Sequence, residues 1–483
     1  MTTTPKIPLW KFAVCAIALA TGIYVALMAP PAPPEGQQAF LTQKSMIGMG
    51  IFLFFAISAM VEIVPDYVSW LLMCTAWGAS KCVTFGQAFG FYTSTSWWLI
   101  LGAMVLAAAV AKCGLLRRIA LNIITRFPAS YKSQCASLIV AGTVISPLIP
   151  SGTVKCSLMT PLSLALSDLM NFSRRSTGAA GLFNAAFLAV AVTIPALLSS
   201  TFINYTILGI LEKDGKGVSF IYWLLGSLPW LVLTLVVGYF AIQILYKVKA
   251  GETVVDANEL RKMRNNLGPM SRDEKITLGV LLCSLAFWVT EHLHGISAVT
   301  VILMGTAVLC STGILDRKSF RSSVTWDSLI FMGCAISMTT AFPAMGIDKW
   351  IGQVANGLLV PILNDYSFIV FIGIISVLVY VLRLFLVSQT AFVAMFLIFL
   401  LPAGNAVGIH PWVMGFVTFT AANTFIVKYQ NIQYVPALVA ANTAAGEDFV
   451  THGQNVPFAI YYMVSNIIFL ALSIPVWKLL GWM

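Results

Sequence analysis

VISPLIPSGTVKCSLM at residues 144–159 and VYVLRLFLVSQTAFVAMF at residues 379–396 decide how this chain reads. In each, an apolar, helix-like segment runs into a polar tripeptide, Ser151-Gly152-Thr153 or Ser388-Gln389-Thr390, and a second apolar segment follows. Hydrocarbon tolerates irregular polar backbone only where protein buries it or a cavity solvates it. One such interruption in each half of a multi-span chain points to a solute site near the membrane midplane.

The surrounding sequence is consistent with a bilayer. Of 483 residues, 59% are hydrophobic and 10% charged, with mean hydropathy +0.89. Soluble domains carry about 25% charged residues, so the chain lacks the charge to cover a soluble surface. The fold class expected is an all-α polytopic membrane protein. Apolar windows of about 17–25 residues predict about eleven spans, near 9–29, 45–64, 67–84, 97–112, 178–210, 220–247, 275–293, 296–312, 327–344, 411–428 and 457–480. The apolar run from Phe12 to Ala29 is read as the first span rather than a cleaved signal peptide. Two stretches, 133–170 and 365–404, are long enough for two helices each, and are read as re-entrant hairpins with the tripeptides at their tips.

Counting spans from a cytoplasmic amino terminus places loops 113–132, 171–177, 248–274 and 313–326 inside. These hold Arg117, Arg118, Arg126, Lys132, Arg174, Arg175, Arg261, Lys262, Arg264, Arg317, Lys318 and Arg321. The other side holds mainly Lys44, Lys213, Lys216, Lys349 and Lys478. That asymmetry follows the positive-inside rule and puts the carboxyl terminus outside a cytoplasmic membrane. It also accounts for the net charge of +10 without nucleic acid. Nine scattered cysteines show neither metal nor disulfide spacing and are read as packing residues.

The halves repeat. WWLILGAMVLAAAVAKCGLLRRIAL at 97–121 and WDSLIFMGCAISMTTAFPAMGIDKWIG at 326–352 share the order Trp, Gly, small-residue helix, Gly, basic residue, Ile. After each comes a hairpin, then a helix broken by polar residues, Ser200-Thr201-Phe202-Ile203-Asn204 or Lys428-Tyr429-Gln430-Asn431. With the first repeat running inward and the second outward, the repeats are inverted. The organisation is 1–96 as amino-terminal scaffold, 97–247 as first repeat, 248–274 as basic cytoplasmic loop, 275–325 as further scaffold and 326–483 as second repeat.

At each tip the second arm starts a helix whose first N–H groups lack intrahelical partners and whose dipole favours an anion. Ser151, Thr153, Ser388 and Thr390 add hydroxyls that can donate to a carboxylate or sulfate. Lys155 and Lys428 are expected at depth, where a charge costs at least ~2.5–3.5 kcal/mol and usually faces a cavity or partner. Both are candidates to balance a bound dianion, Lys155 having Asp168 as its alternative partner. Arg383, five residues before Ser388, either pairs structurally or attracts the anion. The four histidines form no metal-ligand set, and no nucleotide motif or convergent acid/base pair suggests an enzyme. An anion channel is the other alternative, disfavoured by the broken hairpins.

From about Trp97 to the end, these motifs resemble the divalent-anion/sodium symporter family of dicarboxylate, tricarboxylate and sulfate carriers. The resemblance covers LILGAMVLAAAVAKCGLLRRIAL and the ending Pro475-Val476-Trp477-Lys478-Leu479-Leu480-Gly481. It implies a homodimer in which a transport domain moves as an elevator against a scaffold, with the tips and broken helices forming the substrate site through Gly152, Gln389, Thr201, Asn204, Lys428 and Asn431 beside the tip hydroxyls. In the family the tips read Ser-Asn-Thr and the broken helices Thr-Pro-Pro-Asn or similar. Here Gly152 and Gln389 replace both tip asparagines, and Ser200 stands where Gly is frequent. Through the resemblance, Ser151, Gly152, Ser200 and Gln389 stand at sodium-contacting positions, and no other cofactor is expected. Loss of both asparagines predicts weakened sodium coupling and exchange of one anion for another, with Lys428 supplying part of the cation's charge.

Overall fold

The computed structural model describes residues 9–31, 40–61, 64–213, 215–248, 257–324, 326–354, 357, 367–384, 386 and 388–483. Residues 32–34 of the Pro-rich run, 249–256 of the basic loop and 365–366 at the start of the second hairpin lie outside these. Helices and turns make up the described elements, with no strand among them. Among the described residues, six helical segments are long and apolar enough to cross a membrane: Thr95–Cys113, Thr177–Ala196, Phe220–Leu245, Trp326–Ala344, Gln389–Ala406 and His452–Leu479. Shorter apolar helices surround them, including Gln43–Val61 and Ala298–Ser311.

The repeat is visible in the backbone. Thr95–Cys113 stops at Gly114 (φ 79°) before an amphipathic helix, Leu115–Ile124. Its counterpart, Trp326–Ile336 with Met338–Ala344, stops just before Gly346 (φ 72°). Left-handed φ at both junctions is where glycine has no steric cost. The expected hairpins become Tyr131–Ile145 with Gly152–Leu169, and Phe368–Leu382 with Gln389–Ala406.

One expected span changes. The segment read as 411–428 is helical only over Pro411–Ala422, and a further helix, Tyr434–Ala445, follows the break. Asn423, Gln430, Asn431, Gln433 and Asn442 lower the hydropathy of this stretch, so an apolar window hides its second helix. The first broken helix has the same plan. Thr177–Phe187 loosens into a wide π turn at Leu188–Val192 and short turns to Ser200, and Phe202–Lys213 resumes.

Residues 178–201 and 411–425 are buried throughout. The broken helices are therefore the centre of the molecule, where protein groups can satisfy irregular backbone. The hairpins pack on them crosswise. Gly152–Leu169 lies against Tyr434–Ala445 of the other repeat, with Thr160 Oγ1 donating to Ala437 O at 3.0 Å. Gln389–Ala406 lies against Phe202–Lys213.

Candidate functional site

At the first tip the incoming arm tightens into Ser146–Leu148, with Pro147 inside the turn and Pro150 just after it. Each proline removes a backbone donor and blocks continuation of the helix. Ser151 is extended (φ −124°, ψ 106°), and its Oγ accepts from Val154 N at 3.4 Å. Ser388 repeats this at the second tip (φ −71°, ψ 110°), accepting from Ala391 N at 3.4 Å. Both serines cap their helices. Their O–H groups remain donors that can turn toward an anion. Thr153 and Thr390 stand in the first turns, and their hydroxyls make no hydrogen bond among the described residues.

The breaks leave carbonyls without helical partners, and nearly all can be accounted for. Asn423 Nδ2 donates to Ala191 O and Val192 O at 3.1 and 3.0 Å. Asn204 Nδ2 holds Ile194 O and Leu197 O, each at 2.8 Å. Trp223 and Ser227 take Pro195 O and Ala196 O. Ser200 O is met by Lys155.

Lys155 is fully buried. Its Nζ donates to Ser200 O at 2.8 Å, Ser146 Oγ at 3.0 Å and Ser146 O at 3.2 Å. The ammonium therefore ties both arms of the first hairpin to the first broken helix. Asp168, its alternative partner from sequence, pairs with Arg174 instead. In the second half Arg383 is buried and donates to Gln430 O and Leu386 O, its guanidinium 5.8 Å from the Phe392 ring centroid. Each half thus has one buried cation on the carbonyls of its own broken helix.

Lys428 is not buried. It opens the Lys428–Gln430 turn and is exposed, as is Tyr429, while Gln430 is buried. Three residues per turn point successive side chains about 120° apart, so only one of the three faces inward. Lys428 therefore lies on the accessible side of this turn, and Arg383 is the buried cation of this half.

The tips meet through an amide network. Gln389 Nε2 donates to Asn423 Oδ1 at 3.0 Å and Ala422 O at 3.3 Å, and its Oε1 accepts from Ile432 N at 3.2 Å. Asn431 Nδ2 donates to Asn423 Oδ1 at 2.9 Å, while its Oδ1 accepts from Gln433 N. Gln433 packs on Gly152, where a Cβ would lie 2.4 Å from Gln433 Cγ. The second tip thus holds residue 432 and the first tip meets residue 433. Gln389 and Asn431 are engaged at both ends of their amides, and Asn204 through its Nδ2 while its Oδ1 is buried without a partner. Thr201 is buried, and its Oγ1 accepts from Ile203 N.

Sequence reasoning missed Asn423, Gln433 and Ser146. The signal for the first two was the polar residues that follow the apolar 411–422 helix. Ser146 looked like part of the incoming arm.

A cavity of about 560 Å³ between the first hairpin and the helix Thr95–Cys113 is lined by Ser151, Val154, Phe202, Lys112 and Ser319 among others. A separate 280 Å³ cavity at the opposite end of Thr95–Cys113 carries Glu212 and Glu291, a poor environment for an anion.

The family model described as the sodium:sulfate symporter transmembrane region matches residues 11–483. A spinach protein named dicarboxylate transporter 1, chloroplastic, is 26% identical over 93% of this chain and 78% of its own length. An Escherichia coli L-tartrate/succinate antiporter is 24% identical over 78% of this chain and 74% of its own. The crystal structure of the Alcanivorax borkumensis YdaH transporter superposes with TM-score 0.59 at 14% identity, covering 98% of both chains. Its likeness extends to the fold. With the match running over nearly the whole sequence and two hairpin tips meeting broken helices in the structure, this chain belongs to the sodium:sulfate symporter family.

Proposed function

We propose that this member of a divalent-anion transporter family carries small organic dicarboxylates across the cytoplasmic membrane, exchanging one dianion for another without obligatory sodium. The hairpin tips bind the carboxylates through Ser151, Thr153, Ser388, Thr390 and the helix N-termini. The hairpins and broken helices move as a unit against the scaffold, in an elevator-type alternation, within a homodimer. The amino terminus faces the cytoplasm.

The observation that carries this reading is the fully buried Lys155 ammonium on Ser200 O and Ser146. A dianion in a dry site needs compensating positive charge. Here a tethered ammonium engages the carbonyl of the broken helix at the position where the family resemblance implies a sodium contact. In the second half Arg383 places a guanidinium on the broken-helix carbonyl Gln430 O. Tethered charge cannot be released with substrate, so an empty carrier keeps buried positive charge and reorients slowly. Exchange is the consequence.

Proteoliposomes preloaded with unlabelled succinate and given labelled succinate test the reading. Uptake should be equal in choline chloride and sodium chloride, and should collapse when the interior holds no dianion. Strict dependence on sodium would establish the sodium-coupled symporter instead. Net current without exchange would indicate a channel.

A further inference from the structure

We propose that Gln433 is a specificity residue that reads a hydroxyl on the substrate, so that the carrier prefers hydroxy-dicarboxylates over their unsubstituted counterparts. The inference rests on the dicarboxylate-carrier reading and adds to it which member of that class the site selects.

Three observations lead to this residue. First, Gln433 is 3% exposed, and its Oε1 is buried without a hydrogen-bond partner. Its neighbours Gln389, Asn423 and Asn431 have both ends of their amides engaged. Asn184 Oδ1 and Asn204 Oδ1 are likewise buried and unmet, but of the three only Gln433 packs on a hairpin-tip glycine, and an unmet group carries its full desolvation cost. Second, the side chain lies against the first tip. The position of a Cβ at Gly152 is 2.4 Å from Gln433 Cγ, 3.0 Å from Cδ and 2.9 Å from Nε2. Any side chain at 152 would need the space that the Gln433 amide fills. The tip therefore presents an amide from another helix in place of one from its own second position. Third, the flanking groups suit a carboxylate. Ser151 caps the helix beside it, and the first-turn N–H groups of Gly152–Leu169 are donors without helical partners.

The chemistry of the substrate follows. At neutral pH a simple dicarboxylate is an acceptor only. It can use the tip hydroxyls and N–H groups, but it offers nothing to Gln433 Oε1. A hydroxyl beside the carboxylate both donates and accepts, which matches the paired oxygen and nitrogen of a primary amide in either orientation. Carboxylate on the tip and hydroxyl on Gln433 is a two-point recognition that malate makes and succinate, lacking only the hydroxyl, does not.

The experiment compares malate with succinate as competitors of labelled dianion exchange in proteoliposomes, for the parent, Gln433→Leu and Gln433→Asn. Leu keeps the volume without the amide, and Asn keeps the amide on a shorter stem. The parent is expected to bind malate about tenfold more tightly than succinate, as one hydrogen bond of ordinary strength allows. Gln433→Leu should bring the ratio to about one while leaving the succinate affinity within a factor of about two. Gln433→Asn should give a ratio between them. Gly152→Ala, which displaces the amide from the other side, should also flatten the ratio, and it serves if Gln433→Leu does not fold. A parent ratio near one, or a ratio unchanged in Gln433→Leu, overturns the role of Gln433 while succinate exchange still supports the carrier. Absence of exchange with every dianion overturns the carrier reading itself.

Discussion

The two hairpin tips solve one problem with different residues. In the first half the buried cation is Lys155, on the arm that leaves the tip, and its compact ammonium gathers three oxygens from Ser146 and Ser200. In the second half it is Arg383, on the arm that enters the tip, and its planar fork reaches Leu386 O and Gln430 O. An ammonium is a point charge with freely arranged donors, while a guanidinium spans two acceptors in a fixed plane. What the halves share is the placement of positive charge on the carbonyls of their own broken helix. The residue type and the arm that carries it differ. Pseudo-symmetry here is kept in the position of charge, and an alignment of the two repeats would not pair these residues.

Neutralising the cations should have the largest effect. Lys155→Met removes a buried charge and strands the acceptors it served, so exchange should fall about 100-fold or more, equivalent to about 2.7 kcal/mol. Arg383→Lys should lose about tenfold, because it retains charge but not the fork. If Arg383→Lys equals the parent, the geometry at the second tip is unimportant and the comparison reduces to charge alone. Initial rates of succinate exchange, with thermal stability of the purified variants as the folding control, decide the matter.

Smaller, and informative about whether the tips are equivalent, are the caps. Ser151→Ala and Ser388→Ala each remove an N-cap worth about 0.5–2 kcal/mol and a hydroxyl available to a carboxylate. Each should raise the apparent Kd for succinate by about tenfold, measured by competition. A tenfold loss at one tip and none at the other would show that a dicarboxylate engages the tips unequally. The smallest effect is expected at Lys428. Being exposed at the turn, Lys428→Ala should exchange within about twofold of the parent in choline. Abolished exchange would return the charge-balancing role to this residue and away from Arg383.

Much of the fold was legible. The interruptions at Ser151 and Ser388, the paired Trp-to-Gly helices and the basic loops identify hairpins and a repeat, because each is a local departure from apolar composition. The helix Tyr434–Ala445 was not legible, because the polar break before it, Asn423 to Gln433, finds partners only in the folded molecule. Lys155 and Lys428 looked alike for a similar reason. Each is a lone lysine in an apolar neighbourhood, and hydropathy does not record which side of a short turn points inward.

The sequence by itself determined the solvent of this protein, its number of halves and the polar tips, since composition, period and proline placement act over a few residues. Tertiary structure decided which cations are buried, which amides are engaged at both ends and which keep an open end. Those outcomes depend on contacts between residues far apart in the chain: Lys155 with Ser200, Arg383 with Gln430, Asn423 with Ala191, and Gln433 with Gly152. Carbonyls freed by a broken helix must be satisfied by whatever packs against them, and the donors come from other helices of the assembled fold.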